Sequence, residues 1–103
     1  MALDDLTPDE LEIVRLALRA AVQGPYFPDW EFEWLFGVPR VGVAAVLHGW
    51  PRVDEHSPVA EVAINNAFVS LLWYPHGMTE ELEDELGVTT SRLQQVFGKW
   101  RKP

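Results

Sequence analysis

Apolar residues recur along this chain in short blocks of helical period, divided by proline and glycine, and the blocks come in the same order twice. Leu11, Val14, Leu18 and Val22 return every three or four residues, the spacing of one helix face. Thr7-Pro8-Asp9-Glu10 before them reads as a helix start: Thr7 caps, Pro8 fits the first turn and Glu10 reaches back to complete a capping box. Gly24-Pro25 stops that helix. Asp29 is expected to cap a short second helix that carries Phe32 and Phe36, and Gly37 ends it. After Val38-Pro39 a third helix runs to about Trp50, although Gly42 and the β-branched residues weaken its local propensity. Pro51 closes this first half and 54–58 links it to the next. Ser57-Pro58 then opens a fourth helix through Val62, Phe68, Leu71 and Leu72, Pro75-His76-Gly77 breaks it, and Thr79 is expected to cap a fifth holding Leu82 and Leu86. Gly87 turns the chain into a last helix, 90–100. The pattern predicts an all-α fold of six helices and no sheet.

The two halves align at an offset of fifty residues without a gap. Gly37/Gly87, Val38/Val88, Val46/Val96 and Trp50/Trp100 are identical, as are Asp4/Asp54, Pro8/Pro58, Ala17/Ala67, Pro25/Pro75, Glu31/Glu81 and Glu33/Glu83, which makes ten identities in 53 aligned positions. They fall at caps, turns and apolar positions. The chain therefore reads as a tandem duplication of one three-helix unit, about 4–53 and about 54–103, packed as a single domain 1–103.

Positions where the halves differ report what each does beyond folding. Trp30 and Trp34, four apart on one face, stand where the second half has Glu80 and Asp84. Val41, Ala44 and Ala45 stand where it has Ser91, Gln94 and Gln95. The bias reverses in the long helices, where Arg15, Arg19 and Gln23 become Asn65, Val69 and Trp73. A helix apolar on all sides is a buried one, so the third and fourth helices are expected to be the central pair. Trp50 and Trp100, shared by both halves, are expected in the core, and most of the five tryptophans with them. Trp30 and Trp34 face either the other half or a partner. Asn66, matching Leu16, is expected to make a polar contact between the halves.

Composition narrows the chemistry. With no cysteine among 103 residues, disulfides, thiolate catalysis and cysteine-ligated metals are excluded. His48, His56 and His76 lie far apart, and no metal or cofactor site is expected. No nucleophile–base pair or glycine-rich cradle points to an enzyme. The acidic N-terminus is not a signal peptide, and no apolar run approaches the roughly 20 residues of a membrane span, so a cytoplasmic protein is expected. The net charge of −8 opposes general binding to phosphate backbones and favours a basic partner. The charge is uneven. Five acids lie between Glu80 and Glu85, whereas 88–103 holds Arg92, Lys99, Arg101 and Lys102 and no acid.

Residues 79–100 carry one motif. Leu82 and Leu86, the turn glycine Gly87, Val88, then Leu93 and Val96 have the spacing of a helix-turn-helix, and the stretch resembles that of bacterial DNA-binding regulators. The resemblance implies a last helix in the major groove, with Thr89, Thr90, Ser91, Arg92 and Gln95 near base edges and Lys99, Arg101 and Lys102 on phosphates. Against this, the helix before the turn is acidic and the first half has the same turn with no basic face.

The leading expectation is thus a small, acidic, non-enzymatic module that docks onto a basic protein, as immunity proteins and antitoxins do. Trp30 and Trp34 would anchor it and Glu80, Glu81, Asp84 and Glu85 would form the charged rim. The DNA-binding regulator is the alternative, and action as a homo-oligomer the third expectation.

Overall fold

The computed structural model describes residues 3–54 and 57–101. Among them are six α-helices and no strand: α1 (Pro8–Gln23), α2 (Asp29–Phe36), α3 (Arg40–Gly49), α4 (Pro58–Trp73), α5 (Thr79–Leu86) and α6 (Thr90–Arg101). A single 3₁₀ turn, Leu3–Asp5, precedes α1.

The punctuation acts largely as anticipated. Thr7 and Glu10 form the reciprocal capping box, with the Glu10 amide donating to Thr7 Oγ1 at 3.2 Å and the Thr7 amide donating to Glu10 Oε1 at 2.8 Å. Gly37 and Gly87 end α2 and α5 in the left-handed conformation, at φ of 71° and 69°, where any side chain would be strained. The caps of the short helices differ from expectation. Asp29 and Thr79 are the first helical residues rather than caps, and Pro28 and Met78 take the cap positions with no side-chain bond. Proline already fixes the extended backbone a cap needs, so Asp29 acts as a first-turn acid on the helix dipole. Ser57 is the cap of α4 but its side chain makes no capping bond.

Each helix of the second half begins fifty residues after its counterpart, and burial recurs with it. The seven buried positions of α1 (Glu10, Ile13, Val14, Ala17, Leu18, Ala20, Ala21) are, shifted by fifty, the seven of α4. Phe32 and Phe36 correspond in the same way to Leu82 and Leu86.

The central pair is α1 and α4, which corrects the expectation of α3 and α4. These two cross in the middle, α2 lies on α4, α5 on α1, and α3 and α6 each touch both. Alanines 17, 20, 21, 63 and 67 are fully buried and let the two long helices approach closely. α3 misleads because glycine and alanine make it look apolar while contributing little area. Only Val43 is buried there, and Val41 faces solvent. Trp100 is in the core as expected, but most of the tryptophans are not: Trp50 is half-buried against it, and Trp30, Trp34 and Trp73 are exposed. Their places in the core are taken by Phe27, Phe32, Phe36, Phe68 and Phe97.

Asn66 does join the halves, donating from Nδ2 to the Phe36 carbonyl at 2.8 Å, one of the carbonyls left open at the end of α2. Asn66→Ala is expected to lower unfolding free energy by about 1 kcal/mol, the value of one such bond, measured by urea denaturation. An unchanged midpoint would show that water serves that carbonyl equally well. Among the described residues no helix is long and apolar enough to cross a membrane.

Candidate protein-docking surface

α2 carries aromatic residues on both of its faces. Inward, Phe32 and Phe36 stack at 4.2 Å between ring centroids with planes 1° apart, and both are buried. Outward, Trp30 is 77% and Trp34 89% exposed. One helical turn apart, the two indoles form a ridge, with Glu33 exposed beside them. Shallow depressions flank it, one towards Asp29 and Glu33, the other towards Leu35 and Tyr74.

The ridge stands on a rigid platform. Phe27, from the loop after α1, packs edge-on against Phe36 at 5.4 Å and against Tyr74, from the loop after α4, at 5.5 Å. Tyr26 lies edge-on to His76 at 5.3 Å. The two loops therefore meet, and each sends a tyrosine to the short helix of the opposite half. Tyr26 donates to Glu85 Oε1 of α5 at 2.9 Å, and Tyr74 donates to Glu31 of α2. Burial and then the Glu85 bond hold the Tyr26 phenol well above its ordinary range, and the Glu31 bond raises that of Tyr74, so both remain donors. His76 accepts the Met78 amide on Nδ1 at 2.9 Å, which leaves Nε2, 2.9 Å from the Leu71 carbonyl, as the donor.

These contacts sort the predicted site residues. Trp30 and Trp34 lie together on α2, whereas Glu80, Glu81, Asp84 and Glu85 lie on α5, which packs on α1 instead. The aromatic loops bridge the two helices. Of the four acids Glu85 is partly committed to Tyr26, and Glu80, Glu81 and Asp84 are exposed.

Four residues of the predicted DNA-reading face, Thr89, Arg92, Lys99 and Arg101, make side-chain contacts within the fold. Lys99 Nζ lies 2.6 Å from Glu10 Oε1, and Arg92 lies 3.7 Å from Glu10 Oε2. Thr89 Oγ1 accepts the Arg92 amide at 3.1 Å, and the Thr90 amide donates to Glu83 Oε2 at 2.7 Å. The Arg101 guanidinium sits over the Phe97 ring at 5.5 Å. Ser91 and Gln95 remain as exposed side chains, and Lys102 and His56 lie outside the described residues.

Three groups of functional interest escaped the sequence reading. The Tyr26/Phe27/Tyr74/His76 cluster joins loops fifty residues apart, which no local pattern announces. Arg40 reaches back onto α1 and α2, and only its place after Pro39 marks it. Arg15, Arg19 and His48 line a groove between α1 and α3. Here the helical spacing of the two arginines was visible but the helix they would face was not. Among the described residues no three histidines or acids converge as a metal site. Compared with protein-family models, curated proteins and solved structures, the chain has no match.

Proposed function

We propose that this chain is a small acidic protein-binding module whose anchor is the Trp30–Trp34 ridge on α2, docking onto a partner with a basic surface. The observation that carries the reading is the exposure of these two neighbouring indoles. The fold does not demand them. The equivalent positions of α5 hold Glu80 and Asp84, equally exposed and chemically ordinary for such a place. Two adjacent tryptophans on an open face form an apolar patch of the kind that marks interaction surfaces, and tryptophan is a common hot-spot residue. The acids around the ridge and on α5 would steer a cationic partner and raise the association rate more than the lifetime of the complex. Neutralisation of a basic protein, in the manner of an immunity protein or antitoxin, is the activity this surface suits.

The tandem-duplication reading belongs with this proposal. The fifty-residue recurrence of helix starts, of the left-handed Gly37 and Gly87 and of the buried positions of the long helices supports it. On this reading the second half shows what the scaffold needs, and the tryptophans of the first half are its addition.

The test is a photo-crosslinking residue placed in living cells at position 34 and, as the matched control, at position 84. A product specific to position 34 and lost with Trp30→Ala is expected. Trp30→Ala/Trp34→Ala should change folding stability by no more than about 0.5 kcal/mol, as surface substitutions do, and weaken the captured complex roughly tenfold or more. An unfolded double variant, or an unchanged set of crosslinked products, would sink the proposal.

A further inference from the structure

The groove between α1 and α3 has a volume of ≈ 710 Å³ and is lined by Arg15, Arg19 and Gln23 on one side and Leu47, His48 and Trp50 on the other, with no acid among its walls. In a chain of net charge −8 it is a local cationic surface. The second half shows what fills the equivalent place. Fifty residues on from Gln23 and Leu47 stand Trp73 and Phe97, their rings 6.0 Å apart, with Phe97 stacked on Phe68 at 5.2 Å and on Trp100 at 6.3 Å. In α4 and α6 an indole of the chain itself covers that position. In α1 and α3 a glutamine and a leucine leave it open.

From this we infer that the groove receives the Trp30–Trp34 ridge of a second copy of this chain. The inference rests on the reading of α2 as a docking ridge for a basic surface, and places that surface on a second copy of this chain rather than on a different, basic protein. Charge and spacing fit. Asp29 and Glu33 are one turn apart on α2, Arg15 and Arg19 are one turn apart on α1, and residues so spaced project at matching intervals on two facing helices. Arg19 has no hydrogen-bond or ion-pair partner among the described residues. The present partners of the others, Glu12 for Arg15 and Arg40 for Asp29, are surface pairs of little individual strength and exchange readily. An inserted indole would take, against Leu47 and Trp50, the place that Trp73 takes against Phe97. Ridge and groove are different surfaces, so two copies that exchange ridges form a closed two-fold dimer, and a one-way contact runs head to tail.

The experiment is sedimentation velocity of the full chain over a wide concentration range. The wild-type mass is expected to rise above the 11.7 kDa of one chain. Gln23→Trp, which supplies the indole that the second half already has, and Arg19→Glu, which reverses the groove charge, should each raise the dissociation constant roughly tenfold or more. So should Trp30→Ser/Trp34→Ser. A mixture of the ridge-deficient and groove-deficient variants, each monomeric alone, should regain association, because each retains the half the other lacks. Circular dichroism keeps loss of fold separate from loss of contact. A wild-type chain that is monomeric throughout overturns the inference and leaves the docking reading to its crosslinking test. Association abolished by the tryptophan variants but untouched by Gln23→Trp and Arg19→Glu overturns the groove alone. Association indifferent to Trp30 and Trp34 overturns the inference and likewise leaves the docking reading to its crosslinking test.

Discussion

Arg40→Ala is expected to lower the unfolding free energy by about 3 kcal/mol, summed without strict additivity from charge-assisted hydrogen bonds and a cation–π contact. The Arg40 guanidinium donates to the Val22 carbonyl at 2.7 Å, the Ala21 carbonyl at 3.3 Å and the Phe27 carbonyl at 3.1 Å. It also pairs with Asp29 at 2.9 Å and lies 4.3 Å from the centre of the Phe32 ring. Two of those carbonyls belong to the last turn of α1, which has no intrahelical donors left and no basic residue of its own. One side chain thus caps α1, fixes the loop 24–28 and sets the start of α2. Arg40→Lys should recover less than half of the loss, because a single ammonium cannot serve three divergent carbonyls. Chemical denaturation of the three proteins measures this. A loss under about 1 kcal/mol would mean that water caps α1 as well as arginine does. Because α2 carries the tryptophan ridge, the alanine variant should also weaken partner capture while both indoles are still present.

That dependence marks the border between what the sequence discloses and what it does not. Helix count, helix limits within a residue or two, the Thr7–Glu10 box and the glycine ends of α2 and α5 are local matters of spacing and turn chemistry, and they were legible. So was the pairing of Trp30 with Trp34, because comparing the halves places both, four residues apart, among the apolar residues with polar counterparts. Whether they pointed inward was not, since an apolar residue on a short helix has the same period whichever side faces the core. Phe32 and Phe36 took the inner face, and the eight-residue helix had no room inside for two indoles more. The misplacement of α3 has a related origin: all-round apolarity made of Gly42, Ala44 and Ala45 signals close approach on one side rather than burial on every side. Arg92 and Lys99 read as unpaired cations in the sequence because their partner, Glu10, stands more than eighty residues earlier in the chain. In the first half the same blindness hid the groove, because Arg15 and Arg19 look like an ordinary solvated face until α3 is laid beside them.

Glu10 is the second residue whose removal should be felt throughout the fold. It is the one acid in the described chain that is buried, and its oxygens accept from the Thr7 amide at 2.8 Å and from Lys99 Nζ at 2.6 Å, with Arg92 at 3.7 Å. It therefore closes the first turn of α1 and ties it to α6. The Lys99 bond first, and the Thr7 amide next, hold the carboxyl down at about 2 against an ordinary 4.5. A carboxyl depressed in the folded state contributes stability that is complete above its unfolded value and is lost as pH falls through its folded value. Stability should accordingly decline from about pH 4.5 down to about pH 2. Glu10→Gln keeps an acceptor for the Thr7 amide and loses the charge, at a cost near neutral pH of about 2 kcal/mol. Glu10→Ala loses the capping bond as well and should cost about 3 kcal/mol. Lys99 and Arg92 are both partly open to water, which takes them back and keeps the loss below that of a fully buried pair. Thermal melts from pH 7 to pH 2 decide it: the wild-type and Glu10→Gln curves should converge as the acid end is reached, and a constant separation over that range would show that the Glu10 carboxylate is not what ties α1 to α6. Lys99→Met supplies the complementary test, because without its principal cation the buried carboxyl should bind its proton at higher pH and bring acid unfolding closer to neutrality.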